Sequence, residues 1–230
     1  MEQTLIYDTT LRDGMQGENI FFSPDDKIKI VKRLDEAGIH YIEGGWPGSN
    51  PGARHFFEMA RDQDFKHAKI TAFGSTRRPG RDTESDANLK ALIECKAPVI
   101  TIFGKSWDLH VESIMENTET ENLAMIKESV AFLLQHDRDV FYDAEHFFDG
   151  YKSNPGFAFK TLEAAVEGGT RCLVLCDTNG GSLPCDIEII TQKVVDHFKD
   201  VPDLIVGIHT HNDCAMAVAN SVTAVQAGAR

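Results

Sequence analysis

Short apolar runs rich in β-branched residues alternate along the chain with longer segments whose apolar positions recur every three to four residues. This pattern predicts consecutive βα units and a parallel sheet. The expected strands cover residues 5–9, 41–44, 69–73, 99–103, 139–143, 172–176 and 204–209, so seven units can be counted. The first helix is the most clearly signalled: Ser23 caps it, Pro24 takes the first helical position, Asp25 and Asp26 favour the positive end of its dipole, and Gly38 stops it. Ile28, Val31 and Leu34 lie along one face of that helix. Leu123, Ile126, Val130 and Leu133 do so in another, and Ile187, Ile190, Val194 and Phe198 in a third. These stripes are expected to be core. Polar runs at 77–86 and 116–121 read as connections, and no domain boundary or longer internal repeat interrupts the alternation. Strict alternation suits both a closed (β/α)8 barrel and an open doubly wound sheet, so the pattern alone leaves both open.

Composition narrows the class. With 230 residues and 42% hydrophobic content, the chain can bury one large core. No stretch approaches eighteen apolar residues, and Met1-Glu2-Gln3-Thr4 opens on neither a basic nor an apolar leader, so a cytoplasmic protein without membrane contact is expected. A formal net charge of −13 argues against nucleic acid, whose phosphates require clustered Lys and Arg. The five cysteines are odd in number and fit no zinc-ribbon spacing, which makes them reduced thiols. Cys172 and Cys176 share a strand, where four residues span roughly 13 Å, beyond the roughly 7 Å limit of a disulfide.

Candidate chemistry collects where the strands end. Alternate residues of a strand share a face, so in His209-Thr210-His211-Asn212-Asp213 both imidazoles can meet one cation while Thr210 turns away. A hydrogen-bonded histidine pair is the plainer alternative. In Asp8-Thr9-Thr10-Leu11-Arg12-Asp13-Gly14, Asp13 can add an oxygen ligand, because strands 1 and 7 of a barrel lie close together at the catalytic rim. Arg12 would be a fixed donor to developing negative charge, or else half of an ordinary salt bridge with Asp13. Glu43, Asp143 with Glu145, and Asp177-Thr178-Asn179-Gly180 end three further strands. For Asp177 or Asn179 individually, helix capping is the expected role.

Four ordered motifs, Asp8 to Gly14, Tyr142-Asp143-Ala144-Glu145, Cys176 to Gly180, and His209 to Asp213, resemble the DRE-TIM metallolyases. That barrel family contains 2-isopropylmalate, homocitrate and citramalate synthases and hydroxymethylglutaryl-CoA lyase. The segments from Gly45 to Asn50, Phe103 to His110 and Tyr142 to Tyr151 look most like its citramalate synthase branch. The resemblance implies a metal-dependent (β/α)8 TIM barrel and an acyltransferase that condenses acetyl-CoA, as co-substrate, with a 2-oxo acid, pyruvate above all. It implies Asp13, His209 and His211 as ligands of a divalent zinc, manganese or magnesium ion. Catalytic roles fall to Arg12 and Glu145, and substrate binding to Arg12, Asp143, Thr178 and Glu43. The chain departs from the isopropylmalate pattern at Met15, where an acid often follows, and at Asp143. Isopropylmalate or homocitrate synthesis, or carbon–carbon cleavage by a lyase of the family, reuse the same groups; a non-catalytic barrel scaffold is the alternative from another class.

The resemblance also implies one catalytic domain over 1–230 that stops after the seventh βα unit, with no eighth strand and with the C-terminal regions missing. The edges of strands 1 and 7 are then expected to be unpaired, and such a fragment to bind metal weakly and turn over poorly. A homodimer is expected of the full-length protein.

Overall fold

The computed structural model describes residues 3–230; the reading of Met1 and Glu2 as leaderless lies outside them. Seven parallel strands, β1 (Tyr7–Asp8), β2 (Tyr41–Gly45), β3 (Lys69–Ser75), β4 (Val99–Lys105), β5 (Asp139–Glu145), β6 (Cys172–Asp177) and β7 (Ile205–Thr210), pair in simple sequence order. An open doubly wound sheet would reverse direction at a switch point. Monotonic order instead curls the sheet into a barrel-like arc, and β1 and β7 remain its two edges. No eighth strand is present among the described residues.

Helices α1 (Pro24–Glu36), α2 (Pro51–Arg61), α3 (Ala87–Glu94), α4 (Asp108–Ser113), α5 (Glu119–Leu134), α6 (Phe147–Ser153), α7 (Pro155–Gly168), α8 (Pro184–Phe198) and α9 (Ala217–Gln226) fill the connections. The start of α1 matches the sequence reading: the Ser23 side chain accepts from the Asp26 amide, with Pro24 at the first position. The polar run at 116–121 is only half a connection. Thr118 accepts from the Glu121 amide as an N-cap, and α5 begins at Glu119. The helices α4 and α6, short inserts after β4 and β5, carry no strong period in sequence.

Two large apolar clusters lie between sheet and helices. One joins Ile42, Phe56, Ile70, Leu89 and Ile100; the other joins Tyr142, Phe147, Leu162, Leu175 and Ile187. Inside the arc is a smaller layer of Tyr7, Tyr41, Val99, Phe141 and Cys172, with the Tyr41 and Phe141 rings edge to face at 5.0 Å. This alternation of inner and outer side chains is what a parallel barrel requires. The five cysteines are all free thiols.

Each strand except the first runs one or two residues past its last expected position, so the ladder continues through polar side chains. Lys105 pairs in register with Glu145, and Asp177 with Thr210. The polar rim is thus built partly on regular sheet.

Candidate metal centre and acceptor site

Asp13 leaves the turn after β1, while His209 lies at the end of β7 and His211 directly follows it, and their ligand atoms all lie within 4.8 Å of one another. The turn is tight: the amides of Arg12, Asp13 and Gly14 all donate to the Thr9 carbonyl, at 3.1, 2.9 and 3.2 Å. Both histidines direct Nε2 at the same oxygen, Asp13 Oδ2, at 3.4 and 3.7 Å. Their rings stack at 5.1 Å. Thr210 faces the other way, bonded to the Ala217 carbonyl and the Ser221 hydroxyl, as alternation requires. One carboxylate oxygen and two imidazole nitrogens are a donor set suited to a first-row divalent ion.

Main chain fixes this trio. The His211 amide donates to the Asp177 carbonyl across β6–β7. Gly180 sits against the same loop, at φ +60°, where a Cβ would come within 2.5 Å of Asp213 Oδ2 and 3.0 Å of the His211 carbonyl carbon. That contact explains the glycine in the Asp177-to-Gly180 motif.

Electrostatics agree with the grouping. The His209 hydrogen bond, aided by Arg12, holds the Asp13 carboxyl below the usual range against its own desolvation. For His209, burial pulls the pKa down, but Asp13 and Asp143 together raise it above the ordinary value. A second cluster, Asp143, Cys176 and His209, lies deeper. Burial pushes the Cys176 thiol well up, which opposes the thiolate a metal needs, so Asp13, His209 and His211 are the better donor set.

Arg12 is fixed by three groups. Its Nε donates to Glu43 Oε2 at 2.5 Å, Nη1 to Asp13 at 3.2 Å, and the guanidinium carbon lies 3.7 Å from the centre of the Phe73 ring. Glu43 is fully buried, and Tyr7 donates to its other oxygen at 2.9 Å. Desolvation raises the Glu43 pKa, against the pull of Arg12. The expected substrate contact at Glu43 therefore has both oxygens engaged inside the protein, where they orient Arg12. Asp143 is also buried, 4.0 Å from His209 Nδ1, and desolvation pushes its carboxyl up to about 7. Asp143 and His209 are among the residues that line a cleft of about 340 Å³ between β1 and β7.

Glu145 and Thr178 form a second group on the β5 and β6 ends. Glu145 is ion-paired with Lys105, its register partner. Thr178 Oγ1 accepts from the backbone amide of His146 at 2.8 Å, and His146 is left-handed at φ 55°. The His110 and His146 rings meet at 4.5 Å beside Trp107. Burial pushes His110 below its usual pKa.

Capping is not what the β6 loop does: Asp177 accepts from the Ser182 amide, Asn179 donates to Asp149, and α8 starts at Pro184 with no side-chain cap. Tyr7, Phe73, Lys105 and His146 were not singled out by sequence. For Lys105 a signal existed, since it is a cation two residues past the expected apolar run at 99–103; the others contribute through a hydroxyl, a ring face or a main-chain amide.

A curled parallel sheet with acids, histidines and a clamped arginine at its carboxyl rim defines a (β/α)-barrel protein with a candidate cation site. The chain belongs to the HMGL-like family, whose model matches residues 3–230. It is 57% identical over its whole length to an (R)-citramalate synthase of Aquifex aeolicus, and 52% identical over 99% of its length to one of Geobacter sulfurreducens. A 2-isopropylmalate synthase of Synechocystis is 31% identical over the whole chain. The chain spans 43%, 42% and 42% of those relatives, respectively. In fold it is similar to the HMG-CoA lyase of Bacillus subtilis, with TM-score 0.78 and 22% identity over 99% of this chain and 75% of that one. Both the family and the branch suggested by the motifs agree with these relatives. No helix among the described residues is long and apolar enough to cross a membrane.

Proposed function

We propose that the chain is the catalytic barrel domain of an enzyme that condenses acetyl-CoA with pyruvate, after which water cleaves the thioester to give citramalate and free CoA. One observation carries the reading: Asp13, His209 and His211 converge on a common point, and the residue next to Asp13 is an arginine held from behind by Glu43 and Phe73. The (R)-citramalate synthases at 47–57% identity support pyruvate over larger acceptors.

Asp13, His209 and His211 would hold a divalent ion, which supplies Lewis-acid polarisation of the 2-oxo acid carbonyl. Arg12 meets the carbonyl oxygen and stabilises the charge that accumulates there as the new carbon–carbon bond forms. Its orientation costs no reorganisation, because Glu43, Asp13 and Phe73 already fix the guanidinium plane. Thr178 receives the His146 amide on its oxygen, which leaves its single hydroxyl hydrogen free to donate to the acceptor carboxylate. Glu145, restrained by Lys105, is the active-site carboxylate on the opposite side of the rim. Asp143 shapes the pocket floor beneath His209.

The test is to incubate full-length protein with acetyl-CoA, a divalent cation and, separately, pyruvate, 2-oxoisovalerate and 2-oxoglutarate, and to follow free thiol. Pyruvate should give the highest kcat/KM, and His211→Ala should abolish thiol release together with tight cation binding. Absence of CoA release with all three acids sinks the proposal.

A further inference from the structure

The core-facing stripe of α1 contains a charge. Lys27 lies one residue before Ile28 and four before Val31, and is only 7% exposed. A buried ammonium is normally paired with a carboxylate. The Lys27 Nζ instead donates to two main-chain carbonyls, those of Leu11 at 2.7 Å and Gly44 at 2.8 Å. These residues adjoin Arg12 and Glu43 in the chain, the two partners of the buried ion pair.

The pocket for the ammonium is specific. Between β2 and β3 the register steps from Glu43 opposite Thr71 straight to Gly45 opposite Ala72, so Gly44 drops out of the pairing and its carbonyl is released. A Cβ on Gly44 would strike Phe56 Cε1 at 2.1 Å, and one on Gly45 would lie 3.3 Å from Nζ. Phe56 turns its ring toward the ammonium, 5.5 Å from Nζ to centroid. Burial pulls the lysine down to about 8. A desolvated cation bonded to carbonyls rather than to a carboxylate is costly in a core, and what it secures here is the placement of the Arg12 turn against the end of β2, beside the Arg12–Glu43 ion pair.

We propose that Lys27 is a positioning residue for the acceptor site: its ammonium ties the turn bearing Arg12 to the bulged strand end bearing Glu43, and so fixes where the guanidinium is presented. This rests on the reading of Arg12 as the group that meets the 2-oxo acid.

The test uses full-length protein carrying Lys27→Met or Lys27→Arg. Three quantities are measured: Mn2+ affinity, pyruvate kinetics on the Mn2+-loaded protein, and amide hydrogen exchange across residues 9–14. In Lys27→Met, kcat/KM for pyruvate should fall at least thirtyfold while Mn2+ affinity changes less than fivefold, because two of the three candidate ligands, His209 and His211, come from the end of β7 and the residue after it, and Asp13 alone comes from the tied turn. The amides of Arg12, Asp13 and Gly14 should exchange at least tenfold faster at unchanged protection of β4 and β5. Lys27→Arg, which keeps a cationic donor, should recover part of each loss. Unchanged exchange at residues 12–14 overturns the proposal. So does a parallel loss of Mn2+ binding, kinetics and β4–β5 protection, the signature of general unfolding. If wild-type protein releases no CoA with pyruvate, the functional reading fails, and the exchange data still decide the role of Lys27.

Discussion

Asp35 and Lys27 illustrate what a single side chain does in this molecule and why a sequence window misses it. Both occupy the buried side of α1, where apolar residues were expected, and both face main chain far away in sequence. Asp35 accepts from the amides of Lys66, His67 and Ala68 at 2.9, 2.7 and 2.8 Å. Desolvation would raise its pKa, yet these amides hold the carboxyl below the usual range. The folded value is thus lower than the unfolded one, so the contribution is fully present above the unfolded pKa of about 3.9. It is lost as pH falls through the folded value. Asp35→Asn, with one acceptor oxygen and no charge, should lower stability by about 1–3 kcal/mol at pH 7. Urea unfolding at pH 7 and again near pH 3 should find the gap narrowed at the lower pH. The grouping of Arg12, Asp13, His209 and His211 was legible because their residue types recur at strand ends that a barrel brings together. The bracing around them was not, since Tyr7, Phe73 and the His146 amide act through groups that most residues or many core rings possess.

At the level of elements, hydrophobic period located all seven strands because each is a short apolar run bounded by turns, and β2 to β6 are largely buried. Their ends were misjudged by one or two residues, since the ladder does not stop where apolar side chains do. The bulge at Gly44 is the clearest local device: it releases a carbonyl to Lys27, and the missing side chain leaves room for the Phe56 ring against the strand. Gly44→Ala must displace a fully buried ring, and overpacking of this kind costs about 1–3 kcal/mol. Thermal melting should show the loss, and smaller Phe56→Leu packing in the same chain should restore part of it. A bulge leaves no mark in a hydrophobicity pattern beyond a pair of glycines, so Gly44 and Gly45 read only as a strand end.

For the molecule as a whole, alternation of strands and helices could not choose between a barrel and a doubly wound sheet; the order of pairing did, and that order is a long-range property. Against the excess negative charge, −13 overall, Arg12 at the rim, with any cation held beside it, is the local exception that the proposed anionic substrates would need. The candidate ligands come from opposite edges of the sheet, β1 and β7, yet each is set by its own backbone: Asp13 by the Thr9 turn, His211 by the Asp177 carbonyl. Loss of a cation held there is therefore expected to leave the fold intact. Full-length protein stripped with a chelator should keep its far-ultraviolet circular dichroism and take up fresh ion without a lag, behaving as a rigid socket that is emptied and refilled.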